Sequence, residues 1–158
     1  MNIICRLANI DDCEQYFVWA NDYAIRKNSF SSDLITWDTH KRWFHEKISK
    51  SQNRFYIFQN EINQFIGQVR IEQGIHENLA VIGLSIGAEF RGLGLGRTLL
   101  EKAISLYVKE FPLIIIEAYI KLENKSSQII FEKSGFTFHS FLVFNNCHSA
   151  LYRYYANR

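Results

Sequence analysis

The chain has 158 residues, of which 47% are hydrophobic and 15% aromatic, and its formal net charge at pH 7 is +2. This length and composition predict a single globular domain over residues 1–158 and exclude a disordered chain. The basic and acidic residues are interspersed. This distribution excludes a nucleic-acid-binding protein, because that function needs a clustered basic face.

Residues 1–6 lack the pattern of a signal peptide, and no apolar run approaches the length of a membrane span. The three cysteines, Cys5, Cys13 and Cys147, are odd in number and lack the spacing of a metal site. We expect free thiols in a reducing compartment, and hence a cytoplasmic protein that binds no metal, membrane or nucleic acid.

The first half of the chain predicts a strand, two helices and then three strands. In the second helix, apolar side chains recur at helical spacing. The segment Asn21–Asp33 between the helices is polar and rich in turn-forming residues, so we expect a loop there. The predicted elements are the strand Ile3–Ala8, the helices Asp12–Asn21 and Thr36–Ser49, and the strands Arg54–Gln59, Phe65–Glu72 and Leu79–Gly87.

The second half predicts two helices that alternate with strands and a final hairpin. Pro112 ends the first helix, and the next strand is apolar apart from Glu117, as expected in the middle of a covered sheet. The order predicts an α/β fold, a mixed sheet of about seven strands with helices on both faces. The predicted elements are the helices Gly94–Lys109 and Asn124–Lys133, and the strands Leu113–Ile120, Phe136–Phe144 and His148–Tyr154.

Three glycines spaced two residues apart, Gly92, Gly94 and Gly96, lie where a predicted strand passes into a helix. Glycines there let the backbone approach a ligand closely, and the unsatisfied N–H groups of the first helical turn favour an anion. Arg91 and Arg97 flank the glycines and add positive charge. No Lys follows as in a P-loop, and Arg97 occupies the third glycine position of a dinucleotide fingerprint. The segment predicts a phosphate cradle of another kind.

The pattern Arg-x-x-Gly-x-Gly, formed by Arg91, Gly94 and Gly96, resembles the pyrophosphate loop of the GNAT superfamily of acetyl-coenzyme A-dependent N-acyltransferases. A second segment, Asn124-x-x-Ser127-x-x-x-Phe131-Glu132-Lys133-x-Gly135-Phe136, resembles the segment that follows the fifth strand in this superfamily. The resemblance implies the GNAT fold, acetyl-CoA as co-substrate and no metal. The implied cofactor-binding residues are Ile86, Ala88, Arg91, Gly92, Leu93, Gly94, Leu95, Gly96, Arg97, Asn124, Ser127 and Phe131.

The resemblance implies a separate role for each part of this set. Main-chain N–H groups of residues 91–97 would hold the pyrophosphate, and the main chain at Ile86 and Ala88 would pair with the pantetheine arm. Asn124 would bind near the thioester, although a helix N-cap role would explain this residue equally well. Phe131 would line the thioester pocket.

The implied reaction is attack of a neutral amine on the acetyl thioester, in which an ammonium proton is lost and a thiolate leaves. Many family members have a tyrosine as general acid where this chain has Phe131. Either another hydroxyl, from Tyr119, Ser127 or Ser134, replaces it, or the thiolate leaves unassisted, since the pKa of a thiol is about 8.5.

The base is open among Glu72, His76, Glu77 and Glu117. A main-chain N–H of the fourth strand, which carries Ser85, can stabilise the oxyanion. In the branch that acetylates ribosomal-protein N-termini, a glutamate often stands where this chain has a tyrosine, which argues against a peptide acceptor. The catalytic candidates are Tyr119, Glu72 and Ser85.

The segments Val18–Phe30, His40–Phe44 and Ile66–Arg70 resemble the branch that N-acetylates nucleotide-linked amino-deoxy sugars for pseudaminic- or legionaminic-type acids. The arginines would meet phosphate charge, and the amide and hydroxyl groups would bind sugar hydroxyls. Three aromatic residues on the two helices, Trp19, Trp43 and Phe44, are expected in the core instead. The substrate-binding candidates are Arg26, Asn28, Ser29, Phe30, Gln68 and Arg70.

Two alternatives remain beside the nucleotide-sugar prediction. One is a GNAT enzyme for another amine: a peptide or protein N-terminus, a polyamine or an aminoglycoside. The other is a coenzyme A-binding module that has lost catalysis, which the phenylalanine at position 131 would suit. The resemblance is compatible with a monomer or a homodimer.

Overall fold

The computed structural model describes residues 1–158 and contains seven strands in one mixed sheet. The strands lie side by side in the order β1-β2-β3-β4-β5-β7-β6. Every neighbouring pair is antiparallel except β4 and β5, which are parallel. The strands are β1 Ile4–Leu7, β2 Arg54–Gln59, β3 Phe65–Gln73, β4 Leu79–Ile86, β5 Ile115–Lys121, β6 Thr137–Phe144 and β7 Cys147–Tyr155.

Helices cover both faces of this sheet, which confirms the predicted α/β architecture. On one face, α4 and α5 pack on a buried cluster of 20 residues. On the other face, α1 and α3 pack on a smaller cluster that includes Trp19 and Phe44, with Trp43 partly buried beside it. None of the helices is long and apolar enough to cross a membrane. The helices are α1 Cys13–Ala20, α2 Tyr23–Asn28, α3 Trp37–Ser49, α4 Leu95–Glu110 and α5 Lys125–Lys133.

The prediction of a loop over Asn21–Asp33 is wrong, because this segment contains the short helix α2. The side chain of Asp22 accepts a hydrogen bond from the N–H of Ile25 and caps the helix start. At the other end, the Ser29 hydroxyl donates to the carbonyl of Ile25. Most other predicted boundaries are correct within one or two residues. For example, the strand predicted to begin at Leu113 is β5, which begins at Ile115.

The two parallel strands β4 and β5 separate after a short contact. Their pairing covers only Leu79–Val81 with Ile115–Glu117. Beyond it, the edge of β4 that faces β5 has no strand partner over residues 82–86. Since unpaired main-chain groups bind peptide-like ligands, this opening in the middle of the sheet is the natural place for a site. The start of α4 follows the open end of β4 along the chain.

Candidate active site

The glycine segment before α4 exposes a row of main-chain donors. Gly92 and Gly94 both have φ of 73°, a left-handed conformation that glycine adopts without strain. The N–H groups of Gly92, Leu93 and Gly94 donate no hydrogen bond within the protein. The N–H groups of the first turn of α4, at Leu95 and Gly96, have no acceptor inside the helix. Together with the positive end of the helix dipole, these groups can hold a pyrophosphate.

The two arginines that flank the glycines are occupied by other groups. Arg91 Nη2 lies 2.6 Å from Asp22 Oδ1, and Arg91 Nε donates to the carbonyl of Ile86. Burial opposes ionisation of Asp22, but the hydrogen bond and charge of Arg91, together with main-chain hydrogen bonds from α2, lower the pKa of this carboxyl. Arg97 pairs with Glu101 on its own helix. The main chain therefore supplies most of the grip on an anion, and Arg91 anchors the segment to the start of α2.

Gly96 is a glycine for a different reason from Gly92 and Gly94, because here the lack of a side chain serves the packing of two helices. A Cβ atom there would lie 3.1 Å from Ile130 Cδ1, so this glycine lets α4 pack closely on α5. Ile86 is the last residue of β4, and Ala88 begins the single helical turn Ala88–Phe90 that leads from the strand into the glycine segment.

The start of α5 lies after the open end of β5. Asn124 Oδ1 accepts from the N–H of Ser127 and caps the helix, while Asn124 Nδ2 has no protein partner and is free for a ligand. The Ser127 hydroxyl also makes no hydrogen bond. Phe131 is buried against Phe136 in the core, and the buried Ser134 hydroxyl donates to a carbonyl of α5. Neither of these last two presents a proton to the opening.

On the face covered by α1 and α3, the β3–β4 register places Gln68 beside Ser85 and Arg70 beside Gly83. Gln68 Nε2 donates to Ser85 Oγ at 3.0 Å. Gln68 is only 4% exposed, and its Oε1 has no partner in the protein. These side chains line the opened part of β4, because the last residue paired with β5 is Val81.

Tyr119 borders the opening from β5. Its side chain lies on the face covered by α1 and α3, two residues after Glu117, which is the last β5 residue paired with β4. The Tyr119 hydroxyl donates to Glu117 Oε1 at 3.3 Å, and Arg153 Nε donates to Glu117 Oε2 at 2.8 Å. Burial, together with the nearby Glu117 charge, raises the pKa of Tyr119, so its phenol stays protonated near neutral pH. The ring of Tyr119 stacks on Phe144 at 4.9 Å, and Phe144 contacts Phe30 at 4.7 Å.

The predicted substrate-binding residues divide into two groups. Asn28 Nδ2 donates to the carbonyl of Ala24, and Ser29 donates to the carbonyl of Ile25, so both complete the last turn of α2. Arg26 and Arg70 form no ion pair with any carboxylate. The assignment of all six candidates to substrate binding stays a prediction, and Asn28 and Ser29 already have main-chain partners within α2.

The opened pair of strands and the cradle at the start of α4 have a match among known families. The profile of the acetyltransferase (GNAT) domain matches residues 2–137. The chain belongs to the GNAT acetyltransferase family. It is an acetyl-CoA-dependent N-acetyltransferase, with coenzyme A as its acyl carrier. No protein with a curated description matches the sequence.

Solved structures show the same GNAT fold at low sequence identity. The spermidine N-acetyltransferase of Vibrio cholerae, solved with CoA and spermine, has a TM-score of 0.82 and 21% identity over 96% of this chain and 92% of its own. The structure of AAC(6')-Ib with ribostamycin and coenzyme A has a TM-score of 0.83 and 15% identity over 98% and 94%. Both neighbours were solved with coenzyme A bound.

None of the four candidate bases of this GNAT enzyme is an unpaired group that faces the opening. Glu72 lies 3.3 Å from Lys47 Nζ and is in register with Val81, before the strands separate. His76 and Glu77 lie in the exposed turn that precedes β4, at the end opposite the glycine segment. Glu117 is held by Arg153. The predicted catalytic role of Glu72 thus has no support from its position, whereas Tyr119 and Ser85 border the opening.

Sequence reasoning missed four residues that shape this site. Arg153 and Phe144 reach it because the predicted β6–β7 hairpin lies beside β5, and this pairing of β7 with β5 has no local sequence signal. Asp22 was assigned to a turn, although its N-cap position is typical of Asp. Gly83 carries no side chain and gained its meaning only from the register with Arg70.

Proposed function

We propose that this acetyltransferase transfers the acetyl group of acetyl-CoA to the primary amine of a nucleotide-linked amino-deoxy sugar. The proposal rests on the charges along the face of the sheet that α1 and α3 cover, where we place the acceptor amine. Three carboxylates there already hold cations: Asp22 pairs with an arginine, Glu72 with a lysine and Glu117 with an arginine. Arg26 and Arg70 are cations without such a partner. A polycation finds these three carboxylates occupied, whereas a phosphate finds two arginines that form no ion pair.

In this proposal, the donor lies along the opening between β4 and β5. The N–H groups of residues 92–96 hold the pyrophosphate, and the main chain at Ile86, where the free edge of β4 ends, and at Ala88 just beyond it pairs with the pantetheine arm. Asn124 Nδ2 donates to the pantetheine or thioester end. A main-chain N–H of β4 near Ser85 stabilises the oxyanion that forms on the thioester carbonyl.

The proton steps use Tyr119 and solvent. The acceptor ammonium first loses a proton to water, since no free carboxylate faces the opening. The amine nitrogen then attacks the carbonyl carbon, a C–N bond forms, and the C–S bond breaks with its electron pair on sulfur. Tyr119 gives its phenolic proton to this thiolate and regains a proton from the new amide nitrogen. The sum is an acetamide, free coenzyme A and one released proton.

Mass spectrometry of acetyl transfer tests this function. The enzyme is incubated with acetyl-CoA and, separately, with UDP-linked 4-amino-dideoxy sugars, spermidine, kanamycin and a peptide with a free N-terminus. We expect acetylation of a nucleotide sugar and little turnover of the polycations. Absence of turnover with every nucleotide sugar would contradict the proposal.

A polyamine or aminoglycoside acetyltransferase is the second candidate. It is favoured by the neighbours named above, one solved with spermine and the other with ribostamycin. The same panel separates it from the first candidate, because it predicts acetylated spermidine or kanamycin and an inert nucleotide sugar. A module without catalysis would bind acetyl-CoA in calorimetry but release no thiol with any amine.

A further inference from the structure

The side chain of Arg70 extends from β3 across the sheet towards β4. It lies on β3 between Phe55 on β2 and Gly83 on β4. Its guanidinium carbon is 5.1 Å from the centre of the Trp43 ring and 6.0 Å from that of Phe55. A Cβ atom at Gly83 would lie 3.2 Å from Arg70 Nη2. The guanidinium therefore rests on two aromatic rings and reaches β4 at a residue without a side chain, two residues past the last β4–β5 pair.

Neither Arg70 nor Arg26 forms an ion pair. Arg70 makes no hydrogen bond and no ion pair, and its Nε is buried without an acceptor. Arg26 donates only from Nη1, to the carbonyl of Asp33, and its Nε is also buried without an acceptor. Burial, and then the charge of Arg70, lower the pKa of Arg26, and the opposing charge of Asp33 does not compensate for them.

The other seven arginines of the chain have different surroundings from Arg26 and Arg70. Five of the nine form ion pairs with carboxylates: Arg6, Arg54, Arg91, Arg97 and Arg153. Two more, Arg42 and Arg158, are exposed to solvent, which screens their charge. Only Arg26 and Arg70 are half-buried and form no ion pair with a carboxylate. Such a pair is unfavourable unless an anion joins it.

We propose that Arg26 and Arg70 together bind one phosphoryl group of the acceptor, and that Gly83 determines this specificity by leaving room for Arg70. The inference rests on the proposed function, since it assigns the phosphate end of that acceptor to a particular pair of side chains. Guanidinium groups bind phosphate oxygens in pairs of parallel hydrogen bonds, and their planar form suits the aromatic support under Arg70.

Isothermal titration calorimetry with the donor site filled tests the subsite. Protein saturated with CoA is titrated with uridine diphosphate and, separately, with inorganic phosphate. We expect uridine diphosphate to bind, and Arg26→Gln and Arg70→Gln each to weaken its affinity about tenfold or more, since each removes charged hydrogen bonds. Phosphate should bind more weakly, with the same dependence on both arginines. Binding of neither probe would overturn the proposal.

Two further variants distinguish binding at the Arg26–Arg70 subsite from attraction to positive charge elsewhere on the protein. Gly83→Ala keeps both arginines and is expected to weaken uridine diphosphate binding, because the new methyl displaces the guanidinium. Arg42→Gln, the matched control, removes an exposed arginine of α3 and is expected to leave the affinity unchanged. An equal loss in Arg42→Gln, or unchanged affinity in Arg70→Gln, would refute the phosphoryl subsite, and full affinity in Gly83→Ala would refute the role of Gly83. Thermal denaturation of each variant verifies that it is folded.

The outcome also distinguishes this inference from the proposed function. Arginine-dependent binding of uridine diphosphate with no acetylation of any nucleotide sugar would support the subsite and contradict the function. Acetylation of a nucleotide sugar at wild-type KM in both arginine variants would support the function and contradict the subsite.

Discussion

The proposed donor side and the proposed acceptor side of this acetyltransferase are built from different parts of the chain. The donor side is mainly main chain: a glycine segment before α4 and the free edge of β4. The acceptor side consists of side chains from α2, β3, β5 and β6. A main-chain site depends on a few glycines and on one strand separation, so it accepts many sequences. A side-chain site changes with each substitution, which explains how one fold serves many amines.

The largest effect expected on the donor side comes from Gly94→Asp. The residue has φ of 73°, so any side chain is strained there by about 1 kcal/mol, and a carboxylate would also face the pyrophosphate. We expect coenzyme A affinity in calorimetry to fall about a hundredfold or more, because like charges brought together cost several kcal/mol.

Gly94→Ala is the matched control for this prediction. A Cβ atom at Gly94 has no neighbour within 4 Å, so alanine brings the same backbone strain without a clash or a charge. We expect a lower melting temperature in both variants but a large loss of affinity only in the aspartate variant. Unchanged affinity in Gly94→Asp would mean that the pyrophosphate binds elsewhere.

The next effect separates chemistry from binding. Tyr119→Phe removes the phenol that faces the opening and keeps the ring that stacks on Phe144. General acid catalysis contributes at least about a hundredfold in rate, so we expect kcat to fall by about this factor with little change in coenzyme A affinity. Tyr23→Phe, at a tyrosine that is 81% exposed on α2, should leave kcat unchanged. An equal kcat for Tyr119→Phe would show that the thiolate leaves unassisted.

The same division explains how far the sequence alone could predict this site. The strand Leu79–Ile86, the glycines and the helix after them lie next to each other in sequence, so local pattern was enough to predict the cradle. The acceptor side joins residues as distant as Arg26 and Phe144, and only the strand order brings them together. Helix α2 was missed because six residues are too few for a clear helical period.

On the acceptor side, Phe144→Ala tests whether the β6–β7 hairpin shapes the site. The ring contacts both Phe30 and Tyr119, and each aromatic pair contributes about 0.5–1.5 kcal/mol. We expect KM for the acceptor to rise roughly three- to tenfold while KM for acetyl-CoA stays the same. Phe141→Ala, on the same strand but 71% exposed, is the control and should leave both values unchanged. A rise in KM for acetyl-CoA alone would place Phe144 on the donor side.

The smallest effect concerns the one ion pair that joins the two sides, between Arg91 of the donor segment and Asp22 at the start of α2. The pair is partly exposed, so we expect Asp22→Asn to weaken coenzyme A and acceptor binding only two- to fivefold, as is typical of about 0.2–1 kcal/mol. The folded protein lowers the pKa of Asp22 below its ordinary value of about 4, so the pair is present above that pH and is lost as the pH falls through the lowered pKa. Coenzyme A affinity measured from pH 5 to pH 8 should therefore show no step that Asp22→Asn removes. A step in that range, absent from the variant, would mean that the carboxylate titrates there and that the two sides are coupled by more than this contact.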